Sequence, residues 1–281
     1  MLPLAQLDAI IDRALAEDMP GCDVTSELTV DARAKADARA VARRDLVACG
    51  GEVFARVFER VDPACRASLE VADGARAKKG DVLWTVRGSA RSLLAGERTA
   101  LNLTQRMSGT ATIARAFVDA LPAGSSTIVA DTRKTTPGLR LLERYAVRAG
   151  GAHNHRNDLS SAVLIKDNHI VASGGISAAV ARARKGAPHT TRIEVEVQTL
   201  GELDTALAAG ADVVLLDNFD LEALAEAVRR AKGRAILEAS GGVTLATVAD
   251  IARTGVDVVS VGALTHSAPA ADIALDLVLS A

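Results

Sequence analysis

Between Asp131 and His169 the chain reads DTRKTTPGLRLLERYAVRAGGAHNHRNDLSSAVLIKDNH, which holds seven Arg or Lys against four acids and three of the five histidines. The whole chain carries a net charge of −2, so this cationic excess is local. Concentrated positive charge within an otherwise acidic chain suits a small, highly charged anion. Nucleic-acid binders spread basic charge over a face and raise the pI above about 9; this chain has a pI of ≈ 6.2. Arg140, Arg144 and Arg148 recur at helical spacing around Leu141, Leu142 and Tyr145, the pattern of one solvated face of an amphipathic helix. Arg133-Lys134, His155-Arg156 and Lys166 differ: they flank short apolar runs, where strands give way to loops and charge serves function or capping.

Composition narrows the class of partner. At 281 residues, 49% hydrophobic and 24% charged, the chain can bury one barrel-sized core or two smaller ones. Aromatic residues make up 2%, too few for base-stacking platforms. Cys22, Cys49 and Cys65 are scattered without a CxxC pair, which argues for a reducing cytoplasm and against a zinc site. No apolar run approaches the roughly 18 residues a membrane span needs. Leu4, Leu7, Ile11 and Leu15 form one stripe of a packing helix and lack the basic start of a signal peptide. A cytoplasmic protein that engages neither nucleic acid nor membrane is predicted.

These residues need a scaffold. Pro20-Gly21 breaks the first helix, and residues 33–87 read as short strands and turns around one helix near Glu52–Arg60. Ser89 is placed to cap a helix running to about Met107, on which Arg98, Asn102 and Gln105 share a face. From residue 127 a β/α repeat begins, with strands at 127–130, 162–165, 192–197, 212–216, 235–238 and 256–261. Helical patterns occupy 176–185, 200–209, 221–232 and 245–253, and Gly210, Gly233 and Gly255 follow three of them as C-caps. Strands alternating with helices give a parallel sheet with right-handed crossovers, and near-regular repetition favours full or partial closure into a barrel. No Gly-x-Gly and no Walker pattern occurs, so dinucleotide and P-loop readings fail.

Barrels place their chemistry at the C-terminal ends of strands. Here those ends carry Arg133-Lys134, Lys166-Asp167-Asn168-His169, Glu194-Val195-Glu196, Asp217-Asn218, Glu238-Ala239-Ser240-Gly241-Gly242 and Gly262-Ala263-Leu264-Thr265. Alternation puts Glu194 with Glu196 on one face, and Glu238 with Ser240. Arg133, Lys134, His155, Arg156 and Lys166 make a cationic half fit for carboxylates and phosphates. Glu196 and Asp217 make an anionic half whose hard oxygens suit Mg²⁺ carried on a phosphorylated substrate. Ser240-Gly241-Gly242 and Gly262 follow the last two strands, a common place for backbone phosphate binding, with a helix expected from about Thr244.

With these motifs in place, the chain resembles the quinolinate phosphoribosyltransferases. The matching segments include EDMPGCDVTSE (17–27), GERTALNLTQRMSGTAT (96–112), DTRKTTPGLRLLERYAVRAGGAHNHR (131–156), LIKDNHI (164–170), IEVEV (193–197), LLDNF (215–219), EASGGVT (238–244) and VGALTHSAP (261–269). The resemblance implies an α/β protein with an N-terminal α/β sandwich (1–108), joined by the C-terminal tail (267–281). It also implies an open, TIM-like α/β barrel (109–266) of the type II phosphoribosyltransferase kind. It implies transfer from 5-phosphoribosyl 1-diphosphate to quinolinate with loss of CO₂ and substrate-bound Mg²⁺. The expected catalytic residues are Lys134, Lys166, Glu196 and Asp217. The substrate carboxylates would be held by Arg98, Arg133, His155, Arg156 and Lys166, with Thr132 and Lys134 also in the substrate-binding set. Glu196 and Asp217 would serve the ribose and the metal region, and Ser240, Gly241, Gly242 and Gly262 the 5-phosphate. Arg98 would reach the partner's pocket across a homodimer, with higher assembly left open. Asn157-Asp158 and Ser160-Ser161 depart from the family pattern, and Asp158 is expected to add negative charge near the pocket. Two other readings are a nicotinate phosphoribosyltransferase, which needs fewer cations, and a non-catalytic metabolite sensor, which does not require Glu196 and Asp217.

Overall fold

The N-terminal apolar stripe becomes helix α1 (Leu4–Asp18), with Leu7 and Ile11 buried and Leu4 left exposed. A computed structural model describes residues 2–279. After the break at Pro20-Gly21, Asp23 caps a short helix α2 (Val24–Thr29) by accepting from the Ser26 amide. Then come β1 (Lys35–Ala42), β2 (Leu46–Val47), α3 (Gly51–Val61), β3 (Arg66–Leu69), β4 (Arg76–Ala77), β5 (Val82–Ser89) and α4 (Ala90–Asp119). The repeat follows as β6 (Ile128–Ala130), α5 (Arg140–Ala149), β7 (Val163–Ile165), α6 (Asp167–Ser173), α7 (Ile176–Gly186) and β8 (Ile193–Val197). It ends with α8 (Leu200–Ala208), β9 (Val213–Asp217), α9 (Leu221–Ala231), β10 (Ile236–Ser240), α10 (Val248–Arg253), β11 (Val258–Ser260), α11 (Ala263–His266) and β12 (Ile273–Leu279). Two compact units result: Met1–Arg115 with Thr135–Gly151 and Thr265–Ala281, and Ala116–Lys134 with Ala152–Leu264.

The first unit is built on an antiparallel sheet in the order β12-β1-β5-β3. On β1 the alternation is strict: Ala36, Ala38, Ala40 and Ala42 are fully buried, while Lys35 and Arg39 face out. Phe54 and Phe58 of α3 stack edge-on with centroids 4.9 Å apart, and Phe54 lies 5.3 Å from Trp84 of β5. Arg56 forks onto Asp8, tying α3 to α1 through two hydrogen bonds of 2.7 Å.

Helix α4 runs well beyond the stop expected near Met107. Gly109 lies within it. A Cβ at that position would lie 1.9 Å from the Pro269 carbonyl oxygen, so this glycine permits close packing and does not end the helix. One turn earlier, Arg106 forks onto the fully buried carboxylate of Glu143 at 2.8 and 2.9 Å and donates to the Ala268 carbonyl. Glu143 also accepts from the Thr136 amide and hydroxyl. On α5 the solvated-face reading holds for Arg148; Arg140 and Arg144 are half-buried, and Arg140 donates to Thr135.

The second unit is a six-stranded parallel sheet in the order β6-β11-β10-β9-β8-β7. Each strand begins and ends within a few residues of its sequence-based bounds. Asp212 accepts the first amide of β8, from Ile193, at 2.7 Å, and Asp257 the second amide of β10, from Leu237, at 2.8 Å. On the free side of β6, His153 forms a single parallel bridge with Ala130. Among the described residues no ladder joins β6 directly to β7, so the barrel is open there, as expected. No helix among them is long and apolar enough to cross a membrane.

Glu143→Ala leaves the Arg106 guanidinium without its main counter-charge. Removing one partner of a buried ion pair is expected to destabilise by about 3 kcal/mol. Thermal unfolding of this variant is therefore predicted to shift down by roughly 6–12 °C.

Candidate functional site

One parity of residues along the barrel strands faces a common cavity. Leu164 and Lys166 at β7, Glu196 on β8, Leu215 and Asp217 on β9, Glu238 and Ser240 on β10, and Ser260 on β11 all line it. Within each strand these residues are two apart, as pleating requires. Thr132, Arg133 and Lys134 after β6, with His155 and Arg156 from the following loop, complete the wall of a cavity of ≈ 310 Å³. The loop residues hold fixed places. Thr132 accepts from the Lys134 amide at 3.1 Å. The fully buried carboxylate of Asp131 accepts from Asn154 Nδ2 and from the His155 amide, each at 2.7 Å.

His155 reaches down between two carboxylates that lie one inner-facing position deeper than Glu196 and Ser240. Its Nε2 is 3.2 Å from Glu194 and 3.5 Å from Glu238, both buried. Burial pushes Glu238 up, the like charge of Glu194 pushes it further, and His155 opposes them; the outcome is about 7. For His155, burial disfavours the charged ring, but the hydrogen bond to Glu194 and the charges of Glu238 and Glu194 outweigh it and raise the ring's proton affinity. The Arg156 amide, however, points its N–H at Nδ1 at 2.7 Å and excludes a second proton there. The cluster's extra proton therefore belongs to Glu238.

Two cations in the cavity repel each other. Arg156 is held below the usual arginine range by burial and then by the charge of Arg133. Lys166 forms an ion pair with Glu196, so the division into a cationic and an anionic half does not survive intact: one member of each is joined across β7 and β8. The amide of Lys166 donates to His169 Nδ1 at 3.1 Å, which fixes the start of α6. Asp217 accepts from the Asn218 side chain at 3.0 Å.

The nine residues Thr132, Arg133, Lys134, His155, Arg156, Lys166, Glu196, Asp217 and Ser240 are thus brought together as the sequence predicts. Gly241, Gly242 and Gly262 do not line the cavity wall. Gly241 answers a packing need: at φ +97° a Cβ would stand 2.2 Å from Asn218 Oδ1. The helix expected from Thr244 begins at Val248, because Thr244 to Thr247 form a turn closed by the Thr247 hydroxyl. Arg98 lies exposed on α4 in the other unit. Asp158 is not on the cavity wall; Asn157, Ser160 and Ser161 surround it with hydrogen bonds, and these hold its carboxyl below the usual range, Asn157 foremost.

Glu238 and Ser260, with Glu194 behind His155, were not in the predicted set. Parity already placed Glu194 beneath Glu196 and Glu238 beneath Ser240, but the partner, a loop histidine, is not visible in strand spacing. Ligand atoms of His155, Glu194 and Glu238 lie within 4.8 Å of one another, a spacing a metal ion can bridge. Glu196 and Asp217 offer hard oxygen donors on neighbouring strands, which fits Mg²⁺.

Comparison with known proteins matches this geometry to a family. The family models described as "Quinolinate phosphoribosyl transferase, N-terminal domain" and "C-terminal domain" match residues 23–108 and 110–276. A nicotinate-nucleotide pyrophosphorylase (carboxylating) of Mycobacterium leprae is 45% identical, covering 99% of this chain and 100% of that protein. The Homo sapiens protein of the same name is 41% identical over 99% of this chain and 93% of its own. The crystal structure of NadC from Streptococcus pyogenes superimposes with a TM-score of 0.96 at 40% identity, covering 100% of this chain and 99% of that one.

The proton on Glu238 has a consequence for stability. In the folded protein this carboxyl keeps its proton up to about 7, whereas the unfolded chain releases it near 4.5. The folded state binds more protons in that window, so stability falls as pH rises through it. Chemical denaturation from pH 5 to pH 8 is expected to show this decline in the native protein and a flatter profile in Glu238→Gln.

Proposed function

The chain belongs to the quinolinate phosphoribosyl transferase family, and from that premise we propose how its cavity divides the work. The enzyme transfers the phosphoribosyl group of 5-phosphoribosyl 1-diphosphate to quinolinate with decarboxylation, yielding nicotinate mononucleotide, diphosphate and CO₂ for NAD biosynthesis. The observation that carries the assignment of sides is the opposed pair Arg133 and Arg156 in the same cavity as Glu196 and Asp217. Two guanidiniums that repel each other are stabilised by a dianion between them, and the two carboxylates of quinolinate supply it. Lys166 and His155 close that side, and Arg98 is lent by the second copy in a homodimer, in keeping with its exposure on α4.

Glu196 and Asp217 face the ribose and hold the region of the substrate-borne Mg²⁺. Magnesium, when bound with the diphosphate, neutralises charge on the leaving group. As diphosphate departs, the ribose carbon gains oxocarbenium character, which these fixed carboxylates stabilise. The ring nitrogen of quinolinate captures that carbon, and the positive ring stabilises the electron pair left on the adjacent ring carbon as its carboxylate leaves as CO₂; a proton from solvent then takes that position to give nicotinate mononucleotide. Lys134 and Lys166 are the cationic members of the catalytic set. Proton transfer contributes little, so positioning dominates. Ser240 remains the side chain for the 5-phosphate, with Gly241, Gly242 and Gly262 shaping the backbone around it. The three free cysteines suit a reducing cytoplasm.

Incubation of the purified protein with both substrates and Mg²⁺ is expected to release diphosphate and CO₂ in equal amounts. Turnover of nicotinate but not quinolinate contradicts the assignment. Quinolinate at a hundredfold excess over its Kd is expected to add about 2.7 kcal/mol of stability, and nicotinate less at equal concentration. Arg133→Ala and Lys166→Ala lose that shift while remaining folded; global unfolding of both would mark these residues as structural.

A further inference from the structure

At the floor of the cavity the barrel interior holds two buried carboxylates to which the proposed reaction assigns no step, Glu238 on its wall and Glu194 behind His155. Glu194 and Glu238 are 6% and 4% exposed, and neither faces a lysine or arginine in an ion pair among the described residues. An apolar pair would fill the same strand positions without the desolvation penalty of two buried acids, which amounts to several kcal/mol per ion. Both face the imidazole of His155, at 3.2 and 3.5 Å. That imidazole spends its other nitrogen on the backbone, accepting the Arg156 amide at 2.7 Å. The preceding amide, that of His155, is already held by Asp131 at 2.7 Å. The Arg156 guanidinium is tied further along the same loop, donating to the Ala162 carbonyl at 3.2 Å.

We propose that Glu194 is a positioning residue for the quinolinate subsite: by accepting the Nε2–H of His155 it fixes the ring's tautomer, and the ring in turn fixes the backbone from which Arg156 projects. This rests on the assignment of Arg156 to a quinolinate carboxylate. The logic is that of a second partner selecting which nitrogen of a histidine carries the proton. With a carboxylate at Nε2 the proton must lie there, which leaves Nδ1 bare to accept the Arg156 N–H. Without it the ring is free to place its proton on Nδ1, where it would meet that N–H head on, and the loop would lose its hold on the arginine. The role is geometric, so it needs an acceptor oxygen at residue 194 and not its charge.

The test separates an oxygen acceptor from a charge. Glu194→Leu removes the acceptor and is expected to raise KM for quinolinate by about tenfold to a hundredfold, the loss of one hydrogen bond to a charged group, while kcat and KM for 5-phosphoribosyl 1-diphosphate stay near native values. Glu194→Gln keeps an oxygen in that place and is expected to restore KM for quinolinate to within about threefold of native, the same hydrogen bond being retained without the charge. A Gln variant as impaired as the Leu variant, or a loss in the Leu variant that falls equally on both substrates, overturns the proposal. Ring ¹⁵N NMR of the native protein, with His155→Asn to assign the signal, needs no turnover. It is expected to show His155 protonated at Nε2 and bare at Nδ1; the reverse pattern overturns the proposal even if the Leu variant fails to fold. Failure of the native protein to consume quinolinate would strike the assigned activity alone, because the ring measurement stands apart from it.

Discussion

Burial of negative charge inside the barrel unit is the constraint on which the site depends. Asp131, Glu194 and Glu238 are all buried; the loop that runs from His153 to Arg156 brings hydrogen-bond donors to Asp131 and Glu194 and sets the His155 ring 3.5 Å from Glu238. Carboxylates in such a place are tolerated only when donors are brought to them. The loop is therefore drawn inward by the acids, and its outward-projecting residue, Arg156, is set at the rim as a result. The fold itself thereby assembles positive charge at the cavity. The mutual repulsion of Arg133 and Arg156 is the energetic counterpart: it is relieved when an anion arrives.

Much of this was legible because period and punctuation agree. The barrel strands were readable from short apolar runs ending near a polar or charged residue, and glycines after α8, α9 and α10 marked their ends. The strand-end rule singled out Lys166, Glu196, Asp217 and Ser240, and all four line one cavity. The errors have physical reasons. The helix from Ser89 was expected to end near Met107, but it runs on through Gly109, whose missing Cβ serves contact with Pro269. Helix α6 was overlooked because it is only seven residues long and begins within the KDNH motif, where charge obscures periodicity. The pairing of Lys166 with Glu196 and of His155 with the deeper acids is tertiary. No spacing within a single strand reveals which loop side chain will descend onto it.

The first unit shows the same economy of charge by different means. Arg106 gathers Glu143, Thr136 and the carbonyl of Ala268 around one guanidinium, which joins three stretches of sequence far apart in the chain. Thr136 lies two residues beyond Lys134, so the segment that follows Lys134 is anchored by a buried ion pair. Exposed pairs such as Lys78 with Asp45 are worth little by comparison.

The central claim is that opposed arginines receive the two carboxylates of one pyridine ring while the acids on β8 and β9 face the sugar. A crystal structure of the protein with quinolinate bound tests this most directly. Carboxylate oxygens within hydrogen-bonding distance of both Arg133 and Arg156, with the ring nitrogen turned toward Glu196 and Asp217, is the predicted result. Quinolinate seated elsewhere, or in the cavity with its carboxylates away from both arginines, would contradict the account.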